Sequence, residues 1–255
     1  EYPDGILGDG VAVYGGALVE LSGCLVQGNR QTGLGVHQPG AQALVSGTLF
    51  RNTSIPDGGQ ISNGVRIGEG ATATVSLSLF DDNELVSVAV HDPGTLLTMS
   101  GTTIRDTHCN ASGEDGHGLF AGLGAEVSLT ASLFEGGSNI GIRFAGDFTK
   151  ASLLGSVVRN VDAAPGEGSS AILVEGAAVN IERSLVAGHP DRGICAFGGT
   201  VEMSDSAVRR TRSNRAVLSG WGFSAWDGAQ ATLVDSLLVG SDTVGILAMY
   251  AGTRV

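Results

Sequence analysis

Apolar and polar residues alternate in short runs along the whole chain, and glycine recurs at fixed places between these runs. Val11 and Val13, for example, are separated by a single residue, as are Val65 and Ile67. A period of two is typical of β-strands, whereas no stretch sustains the 3.6-residue period of a helix. The pattern therefore predicts an all-β chain with no significant helix.

The strand pattern itself repeats, and successive repeats start 23 to 31 residues apart, with short and long spacings in alternation. The starts are Gly10, Gly33, Gly64, Ser87, Gly118, Gly141, Ser170, Gly193, Gly222 and Gly245. Each repeat has room for three short strands but not for a crossover helix, so equivalent strands of successive repeats pair in parallel. We therefore predict a single solenoid domain over residues 1–255, a single-stranded parallel β-helix with three parallel sheets and about nine coils of 23–31 residues.

A polar column opens the third strand of each coil. Its members are Cys24, Thr48, Ser78, Thr102, Ser132, Ser156, Ser184, Ser206 and Ser236. Hydroxyl groups at a bend can bond to one another and to the turn backbone. We expect this column to hold the bend of every coil, with Cys24 as a small replacement for a hydroxyl residue.

Charge excludes some partners. Lysine and arginine number 14 against 26 acidic residues, a formal net charge of −12. Nucleic acid is therefore not expected as a partner, because its affinity comes largely from basic residues that neutralise phosphates. A polyanionic glycan is also disfavoured, unless a local basic groove overrides the net charge. No apolar run is long enough to cross a membrane, so we expect no membrane insertion.

The ends of the chain prompt a separate expectation. The sequence begins at Glu1, and its last repeat, from Gly245, is cut at Val255. An open terminal coil exposes apolar core and unpaired strand edges. We therefore expect a segment of a longer polypeptide, whose adjoining parts are its partners at both ends.

The repeat of glycine and alternating apolar residues, in short coils with a stacked polar column, resembles the pectate-lyase-like superfamily of right-handed parallel β-helices over the whole chain. That superfamily includes polysaccharide lyases, polygalacturonase-type hydrolases, epimerases, phage tailspikes and surface proteins without activity. The resemblance implies a right-handed coil and an extracellular or cell-surface setting. It does not specify the activity.

In relatives that are enzymes, the active cleft lies over the outer face of the first sheet. His37, Arg66 and His91 occupy that face on three successive coils, and they are the catalytic candidates if the chain is a lyase. A lyase needs a base, together with a cation such as calcium that neutralises a uronate carboxylate. The competing interpretation is that these are solvated turn residues, since Val36–Gly40 recurs as Val90–Gly94 and duplication alone explains both histidines.

A hydrolase of the polygalacturonase type is not expected. Gly116, His117 and Gly118 resemble the Gly-His-Gly motif of those enzymes, but Val86 and Asn63 stand where the family has aspartates one and two coils earlier. Without paired carboxylates there is neither a general acid nor a base to activate water.

Aromatic residues near the C-terminal end are the better binding candidates. Phe197, Trp226 and Tyr250 are placed on consecutive coils, Trp221 lies in the adjoining turn, and Glu175 lies just below them. Rings spaced about 5 Å apart along the axis could stack against sugar faces. The alternative is that the rings only cover one another.

The function that we predict is a non-catalytic secreted or cell-surface β-helix module, like a scaffold or adhesin. Its first-sheet face would bind a glycan or a protein surface. The alternative is a polysaccharide-degrading enzyme, most simply a lyase acting on a uronate-containing glycan. No residue is assigned to a metal and no cofactor is expected, with calcium as the cation that a lyase would use.

Overall fold

The chain folds into one stack of parallel coils. The computed structural model describes residues 8–55, 62–113, 115–162, 168–213 and 219–255. Every regular element within these residues is a β-strand, and each strand pairs in parallel with its equivalents in the neighbouring coils. The predictions of an all-β fold and of three parallel sheets are therefore confirmed.

Sheet 1 contains the first strand of each coil, and coils are numbered below by these strands. In stack order they are β1 (Val11–Tyr14), β4 (Thr32–His37), β7 (Asn63–Gly68), β10 (Val86–His91), β13 (His117–Gly122), β16 (Ile140–Ala145), β19 (Ser170–Glu175), β22 (Arg192–Phe197), β25 (Trp221–Trp226) and β28 (Val244–Ala248).

Sheets 2 and 3 contain the second and third strands. Sheet 2 has β2 (Leu18–Ser22), β5 (Gln42–Ser46), β8 (Thr72–Ser76), β11 (Leu96–Ser100), β14 (Glu126–Thr130), β17 (Lys150–Leu154), β20 (Ala178–Glu182), β23 (Thr200–Ser204) and β26 (Gln230–Val234). Sheet 3 has β3 (Leu25–Gln27), β6 (Leu49–Arg51), β9 (Leu79–Asp81), β12 (Thr103–Arg105), β15 (Leu133–Glu135), β18 (Val157–Arg159), β21 (Leu185–Ala187), β24 (Ala207–Arg209) and β27 (Leu237–Val239).

The register corrects one predicted repeat start. Ile142 pairs with Ile172, which places Ala171 rather than Ser170 beside Gly141. Ser170 instead pairs with Ile140 on the outer face. The position beside Gly141 is buried, and the small side chain of alanine meets that requirement as serine would.

The core is a continuous apolar column inside the three sheets. Side chains of the same kind stack along it, as the parallel rings of Phe50 and Phe80 do at a centroid distance of 4.9 Å. Burying a side chain of this size stabilises the fold by about 1.5–3 kcal/mol. The column opens at the C-terminal coil, where Ile246 is 48% exposed.

The hydroxyl column lies at the bend between sheets 2 and 3, as predicted. Its bonds go to backbone groups of two coils and not from hydroxyl to hydroxyl. The Ser184 hydroxyl, for example, donates to the Glu182 carbonyl at 2.9 Å and accepts from the Ser156 amide at 3.1 Å. The residue before each hydroxyl adopts a left-handed backbone, as Arg183 does with φ 49°. The column thus satisfies backbone groups that the tight bend removes from the sheet ladders.

A ladder of alternating charges follows the outer face of sheet 3. Its successive members pair across the strands and are Arg51, Asp81, Arg105, Glu135 and Arg159. Arg105 donates to Asp81 at 2.6 Å, and Arg159 donates to Glu135 at 2.7 Å. Opposite charges on facing positions favour this register over one in which like charges meet.

No helix among the described residues is long and apolar enough to span a membrane.

Candidate functional site

A cleft of about 290 Å³ lies on the outer face of sheet 1, across coils 3 to 6. Its lining comes from β7, β10, β13 and β16 and from the residues just before these strands. The lining residues are Ser62, Asn63, Arg66, Leu85, Val86, Ala89, His91, Asp115, His117, Phe120 and Arg143. Two of the three residues proposed for a lyase, Arg66 and His91, are therefore part of this cleft.

Arg66, His91 and Asp92 form a connected chain of hydrogen bonds. The Arg66 Nε–H donates to Nε2 of His91 at 2.9 Å, so the imidazole proton is on Nδ1 and is donated to Asp92 Oδ2 at 2.6 Å. The Glu69 amide also donates to Asp92 Oδ2, at 3.1 Å. Burial acts to raise the pKa of Asp92, but the bonds from His91 and Glu69 hold it below its ordinary value. The carboxylate therefore stays ionised and orients the imidazole.

Gly68 makes room for this arrangement. A Cβ at Gly68 would collide with Cε1 of His91 and would lie 2.9 Å from its Nδ1. The imidazole therefore lies across the glycine, and any larger residue there would displace it. A sequence pattern can place Gly68 on the outer face but does not indicate which ring covers it.

The two histidines of the duplicated turn have different surroundings. His37 stacks on Tyr14 at a centroid distance of 5.5 Å, and burial and then the charge of Arg66 lower its pKa. In the coil before His37, Ala12 stands at the strand position that Arg66 holds in the coil before His91. No guanidinium of the described residues is therefore bonded to His37. Duplication therefore does not make the two sites chemically alike.

His117 and Arg143 form the second polar group of the cleft. His117 is 3% exposed, and burial, followed by the charge of Arg143, lowers its pKa to about 3. The imidazole is therefore neutral at pH 7, and its Nδ1 has no hydrogen-bond partner within the described residues. Arg143 Nη1 lies 3.5 Å from His117 Nε2, while its Nε donates to Glu175 at 2.8 Å.

Glu175 is thus bonded to the cleft, although the sequence grouped it with the aromatic residues. Arg143 also lies over the ring of Phe120, with 5.8 Å between the guanidinium carbon and the ring centroid. The carboxylate on one side and the ring on the other hold the guanidinium at the end of the cleft.

The positions compared with hydrolase acids do lie together. Val86 pairs with both Asn63 and His117, so these three residues follow one another along the cleft wall. The wall carries an amide, an alkyl group and a neutral imidazole where a hydrolase of that type needs two carboxylates. The arrangement gives no support to glycoside hydrolysis by paired acids.

The four predicted aromatic residues form one cluster on the last three coils, in which Trp221 is the first residue of β25 and not, as predicted, a turn residue. Trp226 is at its centre, with ring centroids at 5.9 Å from Phe197, 5.4 Å from Trp221 and 5.8 Å from Tyr250. The Phe197 and Trp226 rings are stacked, so their facing surfaces cover each other. Tyr250, which is 63% exposed, presents the most open ring of the cluster.

A buried acid borders this cluster and has no counterpart in the sequence prediction. The Asp191 side chain is fully buried, and burial raises its pKa against the lowering effects of Ser219 and Arg192. Arg192 Nε lies 3.8 Å from Asp191, and its guanidinium lies over Trp221 at 5.4 Å. The Arg192 guanidinium thus contacts the Trp221 ring and lies near a buried carboxylate, to which its Nε makes no hydrogen bond.

A larger depression, of about 330 Å³, lies on the outer face of sheet 2. It is lined by Thr98, Ser128 and Ser152 and by the ion pair of Lys150 with Glu126, whose charged atoms are 3.6 Å apart. The two charges compensate each other and no histidine takes part. The smaller cleft on sheet 1 is the better candidate, because buried titratable groups and a connected hydrogen-bond chain meet there.

No group of three or more histidine, cysteine, aspartate or glutamate side chains converges on one point within the described ranges. The one carboxylate in the described cleft lining is that of Asp115, while Asp92 lies behind His91 and is bonded to its Nδ1.

Phe120 and Arg143 were not among the residues predicted from the sequence, and His117 was set aside with the hydrolase motif. Arg66 is the fourth residue of β7 and Arg143 the fourth residue of β16, a position at which most coils carry an uncharged residue. An arginine at this outward strand position was the feature of the sequence that could have pointed to the cleft.

Comparisons with known proteins agree with this architecture. Residues 4–158 match the family model described as "Right handed beta helix region", which confirms the predicted handedness. No curated protein matches the chain in sequence. In three dimensions the chain is similar to a double mutant of the periplasmic alginate epimerase AlgG, with a TM-score of 0.63 and 11% identity. The match covers 92% of this chain and 59% of that one, and at this identity it shows the fold alone.

Proposed function

The chain belongs to the family of right-handed β-helix regions, and from that premise we propose that it is a polysaccharide-binding module. An acidic sugar would occupy the cleft over sheet 1. The observation that carries the proposal is the guanidinium of Arg66 in the cleft lining, which is bonded to the imidazole of His91 and not to a carboxylate among the described residues, on a chain of net charge −12. Arg143, which is paired with Glu175, is a second guanidinium in the same lining. A guanidinium that no carboxylate of the protein neutralises is what an acidic glycan requires on an otherwise acidic protein.

The geometry of Arg66 supports this role. Its Nε is bonded to His91, and within the described residues this is the only hydrogen bond of its side chain. The terminal amino groups of the guanidinium therefore remain as donors for a ligand carboxylate, which they can bind in a bidentate manner. His91 and Asp92 hold the arginine in place, which lowers the entropy lost on binding.

Binding without turnover is the first form of the proposal, because the lone pair on Nε2 of His91 is directed at Arg66. A lyase or an epimerase acting on a uronate is the second form. It is favoured by the Asp92–His91 pair, which has the orientation of an assisted base, and by the arginine that would neutralise the sugar carboxylate. Proton abstraction would require Arg66 to move from Nε2 to the substrate carboxylate, which would free the lone pair. The name of the structural neighbour, an alginate epimerase, is consistent with this second form.

A secreted or cell-surface location is part of the proposal. It accords with the similar epimerase, which is described as periplasmic. The aromatic cluster of Phe197, Trp221, Trp226 and Tyr250 extends the proposed surface toward the C-terminal end, where Tyr250 would contact a further sugar.

The test compares variants on a panel of polygalacturonate, alginate and a neutral glucan, with and without calcium. We expect Arg66→Gln and Arg143→Gln each to weaken binding to the two acidic polymers by about tenfold or more. Lys150→Gln removes one positive charge from the outer face of sheet 2 and is the matched control, with binding unchanged. Equal binding by all three variants would refute the cleft as the site.

Two further readouts separate the alternatives. An unsaturated uronate product, detected by its ultraviolet absorbance, would establish the lyase. Inversion of the uronate at C5 without chain cleavage would establish the epimerase. Binding that survives Arg66→Gln but is lost in Trp226→Ala would move the site to the aromatic cluster.

A further inference from the structure

Two large apolar side chains project from the turns between sheets 1 and 2, beside the cleft. Leu123, directly after β13, is 63% exposed, and Phe148, three residues after β16, is 86% exposed. Since β13 and β16 are paired strands, these residues lie on successive coils. Isolated exposed apolar residues are ordinary, but adjacent ones at the rim of a cleft indicate a contact surface.

The backbone at both residues is in the left-handed region, with φ 56° at Leu123 and 68° at Phe148. Phe148 occupies the third position of a four-residue turn closed by the bond from the Thr149 amide to the Gly146 carbonyl. Three other coils have the same turn, closed by the bonds from Ala41 to Gln38, from Thr95 to Asp92 and from Thr253 to Tyr250. Their third residues are glycines, Gly40 with φ 84°, Gly94 with φ 79° and Gly252 with φ 83°.

Phenylalanine at this position is doubly unfavourable for the folded chain. A bulky residue in the left-handed region is strained where glycine is not, and its ring is exposed to water. Packing does not compensate at 86% exposure. Backbone strain that does not contribute to packing is typical of ligand contacts, so the residue itself points to a binding role.

The turn holds the ring in a fixed place. The Thr149 hydroxyl is buried, donates to the Ala145 carbonyl at 2.9 Å and accepts from the Gly124 amide at 3.0 Å. These bonds tie the turn that carries Phe148 to the turn that carries Leu123. A contact surface fixed in this way loses little entropy when a ligand binds.

The turn that carries Leu123 begins beside the cleft, because Gly122 pairs with His91 of the cleft lining. Phe120 lines the cleft, and its ring lies over Gly122, where a Cβ would be 2.8 Å from Cζ. Leu123 follows Gly122 directly. Leu123 is therefore one residue beyond the strand end beside His91, and Phe148 lies in the corresponding turn of the next coil.

We propose that Leu123 and Phe148 form an apolar lip that packs against the C–H face of a sugar ring in an acidic polysaccharide held by the cleft arginines. The inference rests on the function proposed above and adds a contact that charge does not provide. Two side chains on adjacent coils, about 5 Å apart along the axis, match the extent of one pyranose ring. A ring with one apolar face and a carboxylate at its edge would satisfy the lip and the guanidinium groups together.

Leu77 provides a matched control. It is also a left-handed apolar residue, with φ 49° and 73% exposure, but it lies at the bend between sheets 2 and 3. The equivalent residues of the neighbouring coils are Gly47 and Gly101, each directly before a hydroxyl of the column. The Leu77 Cδ2 would be 3.1 Å from a Cβ at Gly101. Leu77→Asn and Phe148→Asn thus make the same kind of change, away from the cleft and beside it.

The experiment measures the affinity for polygalacturonate, and for alginate in parallel, at low and high salt. Wild type is compared with Phe148→Asn, Leu77→Asn and Arg66→Gln. Asparagine tolerates the left-handed backbone, so both asparagine variants should unfold at or above the wild-type temperature. We expect Phe148→Asn to weaken binding about three- to tenfold, by the same factor at both salt concentrations, and Leu77→Asn to leave binding unchanged.

The salt dependence identifies the source of each loss. The factor lost in Arg66→Gln should shrink as salt rises, because screening weakens charge interactions and not dispersion. Binding by Phe148→Asn within twofold of wild type, together with a loss in Arg66→Gln, would overturn the lip and leave the cleft standing. Unchanged binding by Arg66→Gln, or wild type that binds neither polymer, would overturn the proposed function and the lip with it.

Discussion

The hydroxyl column makes a quantitative prediction about stability, best tested with Ser184→Ala. The Ser184 hydroxyl accepts from the Ser156 amide at 3.1 Å and donates to the Glu182 carbonyl at 2.9 Å. Both serines are buried, with Ser156 1% and Ser184 6% exposed. Alanine would leave a buried amide without an acceptor, which costs about 1–3 kcal/mol.

We therefore expect Ser184→Ala to lower the free energy of unfolding by about 2 kcal/mol. In a chain of this size each kcal/mol shifts the melting temperature by about 2–4 °C, so the variant should melt about 4–8 °C lower. Urea unfolding followed by circular dichroism gives the free energy, and a thermal scan gives the shift in temperature.

Ser100→Ala is the control, because Ser100 ends β11 on the outer face of sheet 2, outside the column. Its free energy of unfolding should stay within about 0.5 kcal/mol of wild type. If Ser184→Ala lost no more stability than Ser100→Ala, the bonds of the column would be geometric coincidences with no stabilising role.

Two further predictions concern the cleft and the buried histidines. Gly68→Ala should displace the His91 ring and weaken binding of polygalacturonate several-fold with little loss of stability, whereas Gly245→Ala, where a Cβ meets nothing within 4 Å, should bind as wild type. Burial lowers the pKa of His117 to about 3 and that of the equally buried His189 to about 4. Below pH 6.5 these histidines therefore bind protons in the unfolded chain but not in the folded one. Stability that is fully present above pH 6.5 should thus fall by about 1.4 kcal/mol per pH unit for each histidine as the pH drops toward 4. Asparagine already occupies the position equivalent to His117 at Asn63, two coils earlier, so His117→Asn is the matched substitution. Urea unfolding of this variant at several pH values should give a smaller dependence of the unfolding free energy on pH than wild type. An unchanged dependence would contradict the assignment to His117.

The architecture followed from the sequence because every coil repeats the same constraints. Inward residues such as Val65 and Ile67 alternate with outward ones, and the register then follows from stacking like on like. Ser170 and Ala171 show the limit of this reasoning, since two adjacent small residues fit the pattern equally well. Only the pairing of Ile142 with Ile172 decides between them.

The cleft was less accessible to sequence reasoning, because it depends on residues one coil apart and not on a motif. His37 and His91 occupy the same position in two copies of one five-residue sequence, yet their surroundings differ. The neighbouring residue from the preceding coil is Ala12 for His37 and Arg66 for His91. Glu175 was grouped with the aromatic residues by position along the axis, whereas its side chain reaches back to Arg143 at 2.8 Å. Such contacts are set by side-chain direction, which a period of two does not specify.

The charge ladder of sheet 3 has a consequence for how this solenoid can change in length. Arginine and acid alternate from Arg51 to Arg159, so each coil in that stretch has a sign, and neighbouring coils have opposite signs. Removing the single coil that contains Arg105 would bring Asp81 against Glu135, and the like charges would oppose the new pairing. Removing two coils would restore an arginine opposite an acid. The stack therefore has a parity, which favours gain or loss of coils in pairs, and it coincides with the alternation of short and long repeats along the chain.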